Sequence, residues 1–298
     1  MSIITTAPAV PSRLLTLFAT LSEHDNGLKR DALVAYATPP SLASRGGSEN
    51  SDASSSLLTN SLQEAKRLGL VEEIDDKLHV GSGVAEYKSQ KYAPEETLRL
   101  YLLDLLFDEV SAEKAANKGF ALALAWFLSR NPLSPLDFGQ APQEIIRNDI
   151  GEVSNDTELT NLNRYQNFLY WARFFGFAII VGSESGRNVI PEPSRAIRNR
   201  LPTILEKKGT WMDIDDFVEE LGRELPVLED GWARDFIEKA RSEPSNDGDN
   251  LSVSTSFALR RLKEDGLIEM ESVADARARI LNYGSRTERV SRLRRKGV

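Results

Sequence analysis

Leu62-Gln63-Glu64-Ala65-Lys66-Arg67-Leu68-Gly69-Leu70-Val71-Glu72 and Leu259-Arg260-Arg261-Leu262-Lys263-Glu264-Asp265-Gly266-Leu267-Ile268-Glu269 are two copies of one pattern. In each, a helical stretch runs into a glycine, and an apolar pair with an acid follows at the same spacing. Glycine accepts the left-handed backbone that closes a helix, and β-branched residues behind it favour a strand. A third copy lies between them: Leu169-Tyr170-Trp171-Ala172-Arg173-Phe174-Phe175 leads into Gly176, then Phe177-Ala178-Ile179-Ile180-Val181. Gly182-Ser183-Glu184-Ser185-Gly186 reads as a hairpin turn, Asn188-Val189-Ile190 as the returning strand and Pro191 as its stop. The first copy turns at Asp75-Asp76 and returns through Lys77-Leu78-His79-Val80. The last has a longer connection, with 277–281 as the expected return strand.

The order upstream repeats as well. The first copy is preceded by helices expected at 12–21 and 29–37. The middle copy follows a helix at 120–129 and a turn at Asn131-Pro132-Leu133-Ser134-Pro135, and the last follows helices at 197–207 and 213–221. Polar, turn-rich segments at 44–55, 148–157 and 242–250 precede the third helices and read as mobile loops. Helix, helix, loop, helix, strand, turn, strand is the order of a winged-helix domain. The expected fold is therefore mainly α with small β-hairpins (α+β), as three tandem winged helix-turn-helix units at about 1–92, 93–192 and 193–298. A helix over 95–110, opened by Pro94-Glu95-Glu96, joins the first two. The middle unit, helical and rich in aromatics, also reads as a helical spacer with a hairpin.

In DNA-binding members of that fold the third helix enters the major groove. The first one turns Leu58, Leu62 and Ala65 inward and offers Ser56, Thr59, Asn60, Gln63, Lys66 and Arg67 on its outer face. Hydroxyls and amides meet phosphates or base edges, and Asn or Gln pairs with adenine. The last one offers Ser256, Arg260, Arg261 and Lys263, arginine being suited to guanine edges and phosphates. Phe257, placed where the first helix has Asn60, fits partner packing if exposed. A plain solvated face accounts for the same residues. In the middle helix Tyr170, Trp171 and Phe174, with Arg164 and Arg173 nearby, are either core or an aromatic surface for another protein or a second copy.

Charge is unevenly spread. The chain has 37 basic and 45 acidic residues, net −8. From 277 to 298 stand Arg277, Arg279, Arg286, Arg289, Arg292, Arg294, Arg295 and Lys296 against Glu288 alone, a local +7 that leaves −15 on the rest of the −8 chain. Such an end attracts nucleic acid while the body repels it. If six of these cations neutralised phosphates, log affinity would fall with log salt at a slope of about −5. A competitor lies in the same unit: between 213 and 230 stand Asp213, Asp215, Asp216, Glu219, Glu220, Glu224, Glu229 and Asp230, against Arg223 alone. The basic end thus reads three ways: bound to DNA, folded onto those acids, or solvated.

Catalytic signatures are sparse. Zero cysteines exclude disulfides, zinc–thiolate and iron–sulfur sites and a cysteine nucleophile. His24 and His79 are the only histidines and have no metal spacing or serine-hydrolase context. Gly81-Ser82-Gly83 is too short for a dinucleotide fingerprint. Asp75 or Asp76 followed by Glu86-Tyr87-Lys88 is a weak nuclease-like trace that reads better as a hairpin and linker. No enzyme activity, metal or cofactor is expected. No apolar run reaches the ~18 residues of a membrane span, and 1–10 lacks the character of a secretion signal, so the expectation is a cytoplasmic protein away from membranes.

The segments 62–80 and 259–281 resemble winged-helix domains of bacterial transcription factors. They also resemble the tandem winged-helix subunits that accompany bacterial chromosome-organising motors, which use these domains for protein contacts. Pro11-Ser12-Arg13-Leu14-Leu15, with the three-unit layout, resembles the DpdG-type accessory proteins of bacterial DNA 7-deazaguanine-modification islands, which sit in phage-defence clusters. The resemblance implies an accessory subunit of a DNA-modification or phage-defence complex. Duplex DNA and other protein subunits are the expected partners, the first and last units with the basic end holding DNA. The alternative is a protein–protein adaptor with little or no DNA binding.

Overall fold

The computed structural model describes residues 3–5, 9–37, 51–85, 87, 92–107, 118–183, 186–241 and 249–296, with backbone alone for 51–57. Its recurring local event is the glycine closure. Gly69, Gly176 and Gly266 have φ of 68°, 84° and 73°. At each, the glycine N–H donates three residues back and the next N–H five back: Gly69 to Lys66 and Leu70 to Ala65, Gly176 to Arg173 and Phe177 to Ala172, Gly266 to Lys263 and Leu267 to Leu262. This is a Schellman closure, which satisfies the last carbonyls and needs a left-handed residue.

The closures at Gly69 and Gly176 end a third helix and open a hairpin, whereas the one at Gly266 ends a fourth helix, since the last stretch has one more than the sequence reading expected. In the first repeat α1 (Pro11–Ser22), α2 (Arg30–Ala37) and α3 (Ser51–Arg67) lead into β1 (Val71–Ile74) and β2 (Lys77–Val80), followed by α4 (Pro94–Phe107). Asp75 and Asp76, at φ 50° and 58°, make the tight turn whose twist suits a hairpin. The middle repeat runs α5 (Lys118–Ser129), β3 (Leu136–Asp137), α6 (Gln143–Ile150), α7 (Leu162–Phe175), β4 (Ala178–Ser183) and β5 (Gly186–Pro191). The last runs α8 (Ser194–Ile204), β6 (Met212–Asp213), α9 (Ile214–Glu224), α10 (Trp232–Ala240), α11 (Val253–Glu264), β7 (Ile268–Glu271), β8 (Arg279–Asn282), β9 (Thr287–Val290) and β10 (Arg292–Arg295). Mainly α with small antiparallel strands, the fold class agrees with the sequence reading.

A short strand after each first helix pairs with the returning strand. Leu28 bridges Leu78, β3 pairs with β5 and β6 with β10, so the two three-stranded sheets share the order short, returning, leading. One expectation is corrected here. The strand returning to β7 is β10, not 277–281; the latter region forms a separate hairpin, β8 with β9. The cause is register: Arg292 lies opposite Glu271 and Arg294 opposite Glu269, and facing opposite charges stabilise a pair. Leu293 between them is fully buried.

The polar segments also depart from the loop expectation. Residues 148–150 belong to α6, and Gly151–Thr157 form a 3-10 helix with Thr157 buried. Residues 51–55 belong to α3. Residues 44–50 and 242–248 lie outside the described residues.

Two compact units divide the chain, Met1–Ser111 and Ala112–Val298. In the first, α1 packs on α2, α3 and α4, with Leu14, Leu17, Phe18, Leu62 and Leu102 in its core. The second contains the middle and last repeats. Their common core is α5, buried at every position from Gly119 to Leu128, as a helix apolar all round must be. α10 and α11 pack against it, and Arg241 Nη1 donates to Ser129 Oγ at 2.7 Å.

The closures differ in how tightly they are enclosed. A Cβ on Gly266 would meet nothing within 4 Å, whereas one on Gly176 would lie 2.9 Å from Arg195 Cβ. We expect Gly266→Ala to cost about 1–2 kcal/mol from backbone conformation alone, and Gly176→Ala more. Chemical denaturation of both variants checks the ranking; equal losses would refute it.

Candidate nucleic-acid and partner surfaces

The outer face of α3 carries its charges in local pairs. Gln63, Lys66 and Arg67 are exposed, Thr59 and Asn60 half-buried, and the side chain of Ser56 lies outside the described residues. Thr59 Oγ1 accepts from Arg30 Nη2 at 2.9 Å. Lys66 pairs with Glu73, and its hydrogen bond is the main cause that holds the Glu73 carboxyl below the usual range. Arg67 grips buried Glu64 with two N–H groups, at 3.1 and 2.5 Å.

α11 is built differently. Its first turns are polar yet buried. Ser252 caps the helix by accepting from Thr255 N, Ser254 Oγ donates to Leu128 O at 2.5 Å, and Thr255 Oγ1 donates to Glu229 Oε2 at 2.7 Å. Ser256, expected on the outer face, is fully buried. Its oxygen accepts from Asn282 N at 2.8 Å, because the β8–β9 hairpin lies along the helix. Leu251 N donating to Ile280 O and Ile280 N to Asp249 O tie that hairpin to the helix entry. Phe257 is half-buried against the Tyr283 ring, 5.5 Å between centroids, so it is not the exposed aromatic considered from sequence.

The remaining α11 cations sit among carboxylates. Arg260 Nε lies 2.8 Å from Glu264 Oε1 and its guanidinium 5.3 Å from the Tyr283 ring. Lys263 Nζ lies 2.9 Å from Glu288 and Arg261 3.6 Å from Glu192. Arg286 sits on Tyr283 at 5.5 Å. Arg260, Lys263, Glu264, Tyr283, Arg286 and Glu288 line an open groove of about 550 Å³ between α11 and the β8–β9 hairpin.

The basic end is folded structure, not a solvated tail. Arg277 and Arg279 both reach Asp215, at 2.8 and 2.5 Å, and Arg279 also reaches Asp230 at 3.0 Å. Asp215 and Asp230 belong to the acidic segment, so self-association of the two is what the structure contains. Arg292 pairs with Glu271, Arg294 with Glu269 at 2.5 Å, and Lys296 with Glu269 at 3.6 Å. Arg292 and Arg294 also rest on the Trp211 ring, at 4.8 and 4.5 Å. Arg289 donates to Ala276 O at 2.9 Å and Arg295 to Glu206 O at 3.1 Å. Sequence reading missed Trp211. The available signal was the complementary alternation Glu269-Met270-Glu271 and Arg292-Leu293-Arg294, which marks two paired strands.

In α7 the aromatic candidates separate. Trp171 is fully buried and stacks on Phe175 at 5.5 Å, so it is core and presents nothing to a partner. Phe174 is half-buried. Tyr170 is 39% exposed and meets Phe138 edge-on at 5.8 Å, so it alone of the three stands at the surface.

No group of three or more His, Cys, Asp or Glu side chains able to hold a metal occurs among the described residues. His79 sits in β2, and the Nδ1 of His24 contacts Thr20 O at 2.8 Å. Of the nuclease-like trace, Asp75 and Asp76 form the β1–β2 turn, and Glu86 and Lys88 lie outside the described residues. No helix among the described residues is long and apolar enough to cross a membrane.

These elements define a mainly α protein with small antiparallel strand pairs, its charged surfaces largely closed upon themselves. Residues 1–276 match the family model described as DpdG-like, and the chain belongs to that family. Membership agrees with the resemblance carried by 11–15 and supports the DNA-modification setting it implies. No curated protein and no solved structure matches the chain.

Proposed function

We propose that the protein is a non-enzymatic, cytoplasmic accessory subunit of a DNA-modification and phage-defence complex. In this reading its repeats are winged-helix units that work chiefly as an adaptor for other proteins. One observation carries it: the N-terminal half of α11 is enclosed, by α5 through Ser254 and by the β8–β9 hairpin through Ser256. In helix-turn-helix readers the N-terminal residues of that helix reach the base edges, and here they are inside.

The charge arrangement supports the same reading. Of the thirteen basic side chains considered for DNA, ten lie in ion pairs with this chain's own carboxylates. Half-exposed pairs of this kind are individually weak. A phosphate could displace one, but it would approach the partner carboxylate in doing so, and Glu269, Glu271 and Glu288 would oppose it.

A salt titration of binding to random-sequence duplex tests the proposal. The expected result is no saturable binding at low salt. Affinity that collapses with salt at a log–log slope near −5, the value for about six phosphate contacts, would overturn it. A second reading, duplex contact through the first unit, is favoured by α3, which exposes Gln63, Lys66 and Arg67. It predicts low-salt binding that is lost in Gln63→Ala/Lys66→Ala and retained in Arg260→Ala/Lys263→Ala.

A further inference from the structure

β4 is an outer strand, since its sheet has the order β3, β5, β4. Hydrogen-bond parity fixes which of its backbone groups turn outward. Glu192 N donates to Phe177 O at 2.9 Å, and these two residues face each other in the continued β4–β5 register. Bonded pairs alternate with unbonded ones, so Ile179 and Val181 spend their groups on β5. Ala178, Ile180 and Gly182 point theirs away from it. The far side of β5 agrees: Arg187, opposite Gly182, accepts from Phe138 N at 2.9 Å towards β3. Among the described residues no other backbone group bonds to the outward groups of Ala178, Ile180 and Gly182. Side chains alternate as well. Ile180 shares the inner face with fully buried Val189, and Ile179, Val181 and Ile190 share the outer one. Ile179, Ile180 and Ile190 are half-buried and Val181 is 40% exposed. Unpaired backbone and aliphatic side chains thus lie along one edge.

The four-residue outer strands of the described residues all carry charge, β1 through Glu72 and Glu73 and β7 through Glu269 and Glu271. Such charges keep a strand from pairing with its own copy, because like charges would face each other. β4, Ala178-Ile179-Ile180-Val181-Gly182-Ser183, has neither a charge nor a proline. A charged partner strand finds nothing on it to pair with, whereas a neutral, β-branched strand matches it. β4 is itself such a strand. We propose that it pairs with β4 of a second copy, antiparallel about a two-fold axis at Ile180. In that register Ile180 of one copy meets Ile180 of the other, Ala178 meets Gly182, and each outward N–H finds an outward carbonyl. On the outer face Ile179 of one copy lies against Val181 of the other, an aliphatic cross-strand pair. Two three-stranded sheets become one, and the two-fold closes the assembly with neither β4 edge left open. The pairing goes beyond the adaptor reading and holds whether or not the chain touches DNA.

Analytical ultracentrifugation of the full chain from about 1 to 200 μM, where a small interface populates its dimer, tests the proposal. The expected result is a reversible monomer–dimer equilibrium. Val181→Lys puts like charges on both strands and should weaken the dimer by about tenfold or more, since symmetry counts the substitution twice. Val181→Thr, neutral and β-branched, should leave it within about twofold. Position 181 is exposed, and circular dichroism checks that both variants fold. Hydrogen exchange of the unsubstituted chain locates the contact: amides of a peptide spanning 178–183 should exchange more slowly at the higher concentration. A chain that stays monomeric throughout, a dimer indifferent to Val181→Lys, or a dimer without added protection at 178–183 overturns the proposal.

Discussion

Glu229→Ala should destabilise the second unit by about 3 kcal/mol or more, the scale for breaking a buried charge pair. Glu229 and Arg234 are both buried, 7% and 2% exposed, with Arg234 Nη2 3.8 Å from Glu229 Oε1. The carboxylate also accepts from Ser252 N at 2.8 Å and Thr255 Oγ1 at 2.7 Å. It therefore fastens the start of α11 to the chain ahead of α10. Burial on its own would raise the Glu229 carboxyl, but Arg234 and the bonds from Ser252 and Thr255 outweigh it and hold the group below its usual value. Removing the carboxylate strips Ser252 N–H and the Thr255 hydroxyl of their acceptor and leaves Arg234 with Glu238, at 2.7 Å. A loss under about 1 kcal/mol in denaturant unfolding would mean that the site relaxes or admits water.

The same group sets a pH dependence. The unfolded carboxyl titrates near about 4.3, and the folded one lower. Its contribution is fully present above the unfolded value and is lost as pH falls through the folded one. Thermal unfolding of the native chain and of Glu229→Gln should therefore converge as the solution is acidified below about pH 4. Parallel curves would show that the group contributes nothing there.

Local chemistry was readable from sequence, and enclosure was not. The closures at Gly69, Gly176 and Gly266 and the Asp75-Asp76 turn depend on a few adjacent residues, so their motifs are sufficient. Which way a side chain faces depends on what later packs over it. Ser256 reads as part of an outer polar face because hydroxyls usually meet water, and its neighbours Ser254 and Thr255 are buried with it. The oxygens of Ser254, Thr255 and Ser256 are matched to Leu128 O, Glu229 and Asn282 N, and small satisfied hydroxyls bury at little cost. The basic end misled for a related reason. Counting charge shows +7 there but not that Glu269 and Glu271 stand across the sheet from Arg294 and Arg292. Family membership was legible in a short opening segment and the repeat layout, whereas the enclosure of Ser256 depends on Asn282, 26 positions away.

Trp171→Ala is the second large effect, expected at about 3–5 kcal/mol, the range for deleting a buried tryptophan. Its ring is enclosed by Phe175 at 5.5 Å and Phe174 at 5.9 Å, in a helix whose Tyr165, Phe168 and Phe175 are also fully buried. Deleting the ring leaves a hollow between rigid aromatic neighbours that cannot easily collapse. Trp171→Phe should cost far less. Most of the packing stays, and the indole N–H, which is buried with no acceptor among the described residues, is removed, relieving an unpaired donor. Tyr170→Ala, one position earlier and 39% exposed, should change stability by less than about 1 kcal/mol. The set separates the two roles sequence allowed this segment. If α7 is core at Trp171 and surface at Tyr170, denaturation responds to the first substitution and any partner contact to the second. A stable Trp171→Ala variant that lost only a partner would return the indole to the surface.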